Sequence, residues 1–383
     1  MNSPTIPSIV LITDPGKDSD DELTLTAMAA LVRRGVARLV CVVTNLADSS
    51  LRARLAKGTL QQVGLGDVPV GVGSDCTKVA DPKNTAKMEA CPYLADPSEV
   101  VADGHQLLVD TLEMAEDGSI TLLLISGLTD ANRLVTEQPD LFADKVGNIV
   151  YMGGGRVIDG QFVIECIDGQ TAANSDFDAA SSTSFYQKVQ ELGIPMTIVS
   201  RHAVYAVHMP HSAYTTLGET GNPVGEWLNG GATNGLKDLF RRCRYVGDER
   251  QRSDYQLPND GRCNAPWFLN RFTPHKAPSH LLEVGKDGTF DHATLEAMGP
   301  YLPEGFDPDR VEDHFTGSNW YDLLATLAIF DELNIFDEEQ FVTATVNGVT
   351  HTLIGTPTQS GVSDPDRARA IMENLVIEGL TNA

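Results

Sequence analysis

At 383 residues, with 42% hydrophobic and 21% charged side chains, the chain has the composition of a soluble globular protein that can bury a substantial core, as one large α/β domain or two. A formal charge of −25, from 28 basic and 53 acidic residues, argues against a nucleic-acid or anionic-membrane surface, which would need a basic stripe. No apolar run approaches the ~18 residues of a membrane span and no secretory leader pattern opens the sequence, so a cytoplasmic setting is expected. The six cysteines (Cys41, Cys76, Cys91, Cys166, Cys243, Cys263) contain no Cys-x-x-Cys pair and read as reduced structural thiols, without a zinc site.

In chain order, Ser8–Ile12 is an apolar run that predicts a buried strand, stopped by Pro15-Gly16. Ser19-x-x-Glu22 has the spacing of a capping box and predicts a helix over about 20–34. Asp14, Asp18, Asp20 and Asp21 are therefore packed into one strand-to-helix turn, where carboxylates repel unless a cation or a proton relieves them. In an open α/β sheet such turns lie at the carboxyl ends of the strands, where ligands bind. A hard divalent cation held by oxygen ligands is the natural reading, and calcium tolerates irregular geometry best. The helix dipole alone would account for Asp20 and Asp21, but not for Asp14, directly after a core strand. The turn is not an EF-hand: counted from Asp14, position six is Ser19 and position twelve is Leu25.

Ala37–Thr44 predicts a second strand, a helix follows to about Val63, and Val68–Val72 predicts a third. Strand and helix alternating over short connectors imply an open, mostly parallel sheet with helices on both faces. Gly73–Pro97 lacks periodicity and reads as a surface excursion. A helix over about 99–115 leads to strand Ile120–Ile125, then Val146–Met152 ends in Gly153-Gly154-Gly155, a turn that is structural or lets a ligand approach. A helix over about 177–192 and strand Met196–Ser200 precede His202. Pro210–Pro303, rich in Gly, Pro, Asn and Arg, is too long for a plain loop and is expected to be a partly helical insertion over the strand ends, within a single 1–383 domain. A helix over about 319–333, a hairpin around Asn347-Gly348 and a helix over about 364–379 close the sequence.

Asp-Pro-Gly, a spacer, then Asp-Asp at a helix start resembles the DxDPGxDD signature of the inosine/uridine-preferring nucleoside hydrolases, with Lys17-Asp18-Ser19 as a lengthened spacer and Ile12 in place of the first Asp. Ile125–Leu134 resembles the family's TGPLTNIA-like segment, Val150–Gly155 its VxMGG strand, and Asn174–Ala180 its NxxxDPEAA region. Ser318–Ala328 resembles its late His-Asp-x-x-Ala helix, with Asp322 at the Asp position and Tyr321 where the family has His. The resemblance covers about 9–200 and 319–330 and implies a nucleoside-hydrolase-like α/β fold in a divergent member.

The resemblance further implies a calcium ion held by Asp14, Asp21, Asp322 and the main-chain carbonyl of Ile125 or Ser126. Asp14 would be the base for a metal-activated water, and Asp20, Asn45 and Asn174 would grip vicinal hydroxyls of a ribosyl group. Tyr321 stands where the leaving-group acid is expected; its phenol, ordinarily near ~10, is a poorer acid at neutral pH than imidazole, and His202, His208, His211 or an Arg of the insertion are alternatives. Trp227, Tyr255 and Trp267 could stack on a base or form a small core. The implied partner is a small nucleoside or N-ribosyl compound, the implied assembly a homodimer or homotetramer. A catalytically silent ribosyl-ligand binding protein is the alternative from a different class. A metal-dependent phosphohydrolase is a third reading, though Ile12-Thr13-Asp14 followed by Pro does not supply its usual DxD pair.

Overall fold

The computed structural model describes residues 6–159, 161–164, 172–243, 264–276 and 299–381. Its strands in chain order are β1 (Ser8–Thr13), β2 (Arg38–Thr44), β3 (Val70–Val72), β4 (Ile120–Leu124), β5 (Val146–Met152), β6 (Gly155–Ile158), β7 (Gln161–Ile164), β8 (Met196–Val199), β9 (Met209–Pro210), β10 (Gly317–Ser318), β11 (Val342–Val346) and β12 (Val349–Ile354). Eight of them form one sheet in the order β11-β12-β8-β5-β4-β1-β2-β3. Every pairing in it is parallel except β11 with β12, so the expected open, mostly parallel α/β sheet is what forms.

The apolar runs form central strands because both of their faces are covered. Val10, Ile12, Cys41, Val43, Leu122 and Leu124 pack in one core cluster with Leu108, Leu112, Leu134, Phe142, Phe185 and Val189 from the helices Gly104–Glu113, Thr129–Glu137, Pro139–Lys145 and Ala179–Leu192. Side chains alternate along a strand, so Ile9 and Leu11, also buried, turn to the opposite face. The helix Asp20–Arg33 packs against the C-terminal helix Pro365–Thr381 and against the helix Tyr321–Leu327.

From β1 the chain adds β2 and β3 on one side, then returns to place β4 on the other side of β1. That reversal makes the carboxyl end of β1 a topological switch point, where this class of sheet opens a crevice. The turn carrying Asp14 leaves β1 there.

Several expected elements differ in detail. Ser19 precedes the first helix in a helical conformation and makes no side-chain cap bond, so the capping box does not form. The excursion after β3 contains a helix, Pro82–Glu89. The helix expected over 319–333 is Tyr321–Leu327, followed by a short 3-10 turn at Asp331–Leu333. The Asn347-Gly348 hairpin forms, with both residues at positive φ (50° and 82°) as a type I′ turn requires. In the glycine turn, a Cβ on Gly153 would collide with the Tyr151 ring, and Gly155 opens the β6–β7 hairpin.

The chain divides into two compact units. The first comprises Met1–His208, Thr216–Leu228 and Asn319–Ala383, and contains the whole eight-stranded sheet. The second, Met209–Thr215 with Asn229–Ser318, pairs β9 with β10 and has its own core of Leu236, Phe240, Phe268, Leu269, Phe272 and Val311. Among the described residues no helix is long and apolar enough to cross a membrane. Cys41, Cys76, Cys91 and Cys243 are free thiols; Cys166 and Cys263 lie outside the described residues.

A buried carboxylate cluster at the switch point

The turn after β1 draws its aspartates inward. Asp14, Asp20 and Asp21 are buried, whereas Asp18 is exposed. Asp21, in the first turn of its helix, reaches back to the strand: its Oδ1 accepts from Thr13 Oγ1 at 2.5 Å and from the Asp14 backbone N–H at 2.8 Å. Gly16 lets the chain double back here; its φ is +124°, and a Cβ would run into the Met88 thioether of the helix Pro82–Glu89.

Carboxylate oxygens of Asp18, Asp20 and Asp21 lie within 4.8 Å of one another. Asp322, buried on the helix Tyr321–Leu327, joins them from the far end of the sequence: burial, then repulsion from Asp20, Asp21, Asp14 and Asp18 in that order, hold its carboxyl well above the usual range. Asp14 is raised likewise, by burial and then by Asp21, against the opposing pull of Arg52 and Ser126. Asp20 is raised by burial, then by Asp18 and Asp21. Asp21 is pushed up to about 6 by burial and Asp18, the bonds from Thr13 and Asp14 and the charge of Arg52 holding it lower. Five carboxylates thus share one place, where a cation or a proton would relieve their repulsion.

The helix start supplies one more buried acid. Glu22, whose Oε1 accepts from the Tyr93 hydroxyl at 2.9 Å, is pushed up to about 7 by burial. Trp227 packs edge-on against Tyr93 with ring centroids 6.4 Å apart, and Lys87 lies 5.9 Å from the Trp227 ring centre. Trp267 packs against Phe272 at 5.7 Å, within the core of the second unit. Tyr255 lies outside the described residues.

The sequence candidates fall in different places around this cluster. The Ile125 backbone N–H donates to the Ile12 carbonyl at 3.0 Å, which sets the end of β4 beside β1. Asn45, at the end of β2, is fully buried and its amide is engaged inside the protein: Nδ2 donates to the Gly127 carbonyl at 2.8 Å and to Asp130 at 3.0 Å, and Oδ1 accepts from Ser126 at 2.5 Å. Asp130 also accepts from Ser74, so this network ties the loops after β2, β3 and β4 together. Asn174, half-buried, donates to the Met152 carbonyl at 3.0 Å, which places it at the end of β5, two strands from β1. Tyr321 directly precedes Asp322; its hydroxyl accepts from Asn319 at 3.2 Å and its ring meets Tyr205 edge-on at 6.3 Å. Tyr205 in turn meets the His202 ring at 6.1 Å. His211 belongs to the second unit, 3.2 Å from Thr233 Oγ1 and packed on Phe315.

Arg52 escaped the sequence reading. Its guanidinium is buried beside the cluster, donating to the carbonyls of Asp14 and Pro15, with Nη1 3.7 Å from Asp14 Oδ2. The signal available in the sequence was a basic residue four places after the helix-capping Asp48, at the end of a helix where a cation is disfavoured. One guanidinium against five carboxylates leaves the cluster short of positive charge, and an all-oxygen donor set of this kind suits a hard divalent cation.

No family model matches the chain. An uncharacterized protein of Schizosaccharomyces pombe is 25% identical over 225 residues, 57% of this chain and 68% of that protein. Among solved structures, the effector protein XOO4466 superposes with a TM-score of 0.75 at 26% identity, over 98% of this chain and 95% of that one. The type III effector XopQ, solved in complex with adenosine diphosphate ribose, gives the same values. An inosine-uridine preferring nucleoside hydrolase of Bacillus anthracis (TM-score 0.54, 15% identity, 97% of this chain and 99% of that one) and the plant nucleoside hydrolase PpNRh1 (0.57, 15%, 98% and 100%) share the fold. The relationship to nucleoside hydrolases therefore holds at the level of the fold. The resemblance read from the sequence needs one correction: the chain is more similar to the two effector proteins than to these hydrolases.

Proposed function

We propose that this protein recognises a ribosyl small molecule at the carboxylate cluster, holds one calcium ion there, and hydrolyses the N-glycosidic bond of a ribonucleoside or related N-ribosyl compound. The observation that carries the reading is the gathering of five carboxylates, four of them buried, at the switch point of a nucleoside-hydrolase-like sheet. Asp14, Asp21, Asp322 and the carbonyl at Ile125 would hold the ion, with Asp18 and Asp20 beside them. Bound there, calcium would acidify a water and hold sugar hydroxyls.

The protein's own groups do the rest. Asp14, its carbonyl fixed by Arg52, takes the proton of the attacking water as a carboxylate, the form that a neighbouring cation favours. As the water oxygen bonds to the anomeric carbon, the carbon–nitrogen bond breaks and carries its electron pair to the base. Neighbouring carboxylates stabilise the oxocarbenium-like character that the sugar develops as one bond breaks and the other forms. Asp20 and Asn174 grip the vicinal hydroxyls. Asn45, committed to Gly127, Asp130 and Ser126, serves the ribosyl group by fixing the loops around it. Tyr321, beside Asp322, is the candidate proton donor to the departing base.

A second reading is ribosyl-ligand binding without cleavage. Tyr321 favours it, since a phenol is a weak acid at neutral pH, and so does the likeness to an effector that binds adenosine diphosphate ribose. Both readings treat the chain as one functional body, cytoplasmic and homo-oligomeric; light scattering reads the last. Reducing-sugar release from inosine, uridine and nicotinamide riboside, and adenine release from adenosine diphosphate ribose (itself a reducing sugar), with calcium or chelator, separate the two. Calcium-dependent release supports the hydrolase. Calcium-dependent binding without release selects the binding protein, and neither binding nor release refutes both.

A further inference from the structure

Arg52 occupies a costly position. It is the fourth residue of the helix Ser49–Gln62, whose amino end is capped by Asp48 Oδ1 accepting from the Leu51 N–H at 3.2 Å. A cation there opposes the helix dipole, and at 2% exposure it has also given up its hydration. An apolar side chain of similar volume would fill the space without either cost. What the guanidinium gains is specific to the site. Nη1 donates to the Asp14 and Pro15 carbonyls, the latter at 2.8 Å, and lies 3.7 Å from the Asp14 carboxylate. Nη2 donates to the Ala47 carbonyl at 3.4 Å, in the loop that begins with Asn45. Nε–H has no acceptor among the described residues.

We propose that Arg52 is a positioning residue. It fastens the Asp-Pro-Gly turn to the loop after β2 and so holds the Asp14 carboxylate in the orientation that serves the cation and the attacking water. The proposal rests on the cation-site reading above. Only a planar fork can do this: carbonyls from three residues on two loops are reached at once, whereas a lysine ammonium offers one point charge on a flexible stem. The positive charge also offsets part of the repulsion that raises Asp14 and Asp21.

The test titrates calcium into metal-stripped parent, Arg52→Lys and Arg52→Gln by calorimetry, with urea unfolding in chelator alongside. Mutating a residue that orients a metal's ligands typically changes metal affinity ~10–100-fold. The calcium Kd of Arg52→Lys is expected to rise by about that factor although the charge is kept, and Arg52→Gln to weaken it at least as far. If Arg52→Gln does not fold, Arg52→Lys decides. A readout on the unmodified chain stands beside these: the Arg52 guanidinium NMR signals, assigned by their loss in Arg52→Lys, shift as calcium is added. A merely structural role would lower the unfolding midpoints in chelator and leave the calcium Kd and the guanidinium signals where they were; that result overturns the proposal alone. A parent chain that binds no calcium overturns it together with the cation-site reading.

Discussion

Asp21→Asn should make the metal-free protein more stable and the calcium-loaded protein less so. Asp21 is buried, and its carboxyl is pushed from 3.8 to about 6. At ~1.4 kcal/mol per pKa unit, keeping that group ionised in the folded state costs ~3 kcal/mol above neutral pH. The figure already includes the Thr13 and Asp14 hydrogen bonds, which act in the opposite direction and which an asparagine Oδ1 can still accept. The sign follows from a folded-state pKa raised above the unfolded one. The favourable contribution is complete below pH ~4 and is lost as pH rises through about 6. In chelator at pH 7.5, urea unfolding should therefore show Asp21→Asn more stable by ~3 kcal/mol, with the gap closing toward pH 4. Calcium at ~1,000 times its Kd adds ~4 kcal/mol to the parent and nothing to a variant that cannot bind it, so the order reverses. An Asp21→Asn protein less stable than the parent in chelator at pH 7.5 would refute the claim that ionised Asp21 is held against its preference.

His351, buried in β12 with its ring 5.4 Å edge-on from Tyr186, has its pKa lowered by burial. Its contribution is full above the unfolded value of ~6.5 and is lost as pH falls below it, so His351→Phe should flatten the acid limb of the stability curve in urea titrations between pH ~6.5 and ~5. Gly16→Ala puts a Cβ into Met88 at a φ of +124° and should cost ~1–3 kcal/mol in urea unfolding. The double variant with Met88→Ala should recover the steric part only, and calcium affinity should fall in both. Tyr321→Phe should lower ribose release ~100-fold or more if the phenol protonates the leaving base, with ribosyl-ligand affinity little changed by calorimetry. An unaffected rate would move that role elsewhere.

The sheet was legible because its strands are short apolar runs between Pro, Gly and Asp, a pattern that buried parallel strands share. The aspartates of the turn were legible because Asp14, Asp18, Asp20 and Asp21 follow such a run directly; Asp322 was joined to them only by the resemblance of Ser318–Ala328. What stayed hidden depends on contacts far apart in sequence. Glu22 looked like the second half of a capping box, yet it turns inward to Tyr93, 71 residues away. Arg52 drew no notice in the sequence, because the carbonyl of Asp14 that it meets in the fold is 38 residues earlier. The helix Pro82–Glu89 has one buried side chain, Met88, and that side chain packs under Gly16, a contact no local periodicity encodes. The late helix ends at Leu327 rather than 333, and because every residue from Asp322 to Leu327 is buried, no polar face marked its end in the sequence. Asn45 lies at the end of β2, and its amide is engaged by Gly127, Asp130 and Ser126, contacts 81 to 85 residues away that no local pattern encodes.

The central claim is that these aspartates hold a divalent cation. Equilibrium dialysis of the metal-stripped chain against calcium measures this directly. One ion per chain is expected at saturation, lost in Asp14→Asn and in Asp322→Asn proteins that remain folded. A parent chain that retains no calcium, or variants that retain as much as the parent, would contradict it.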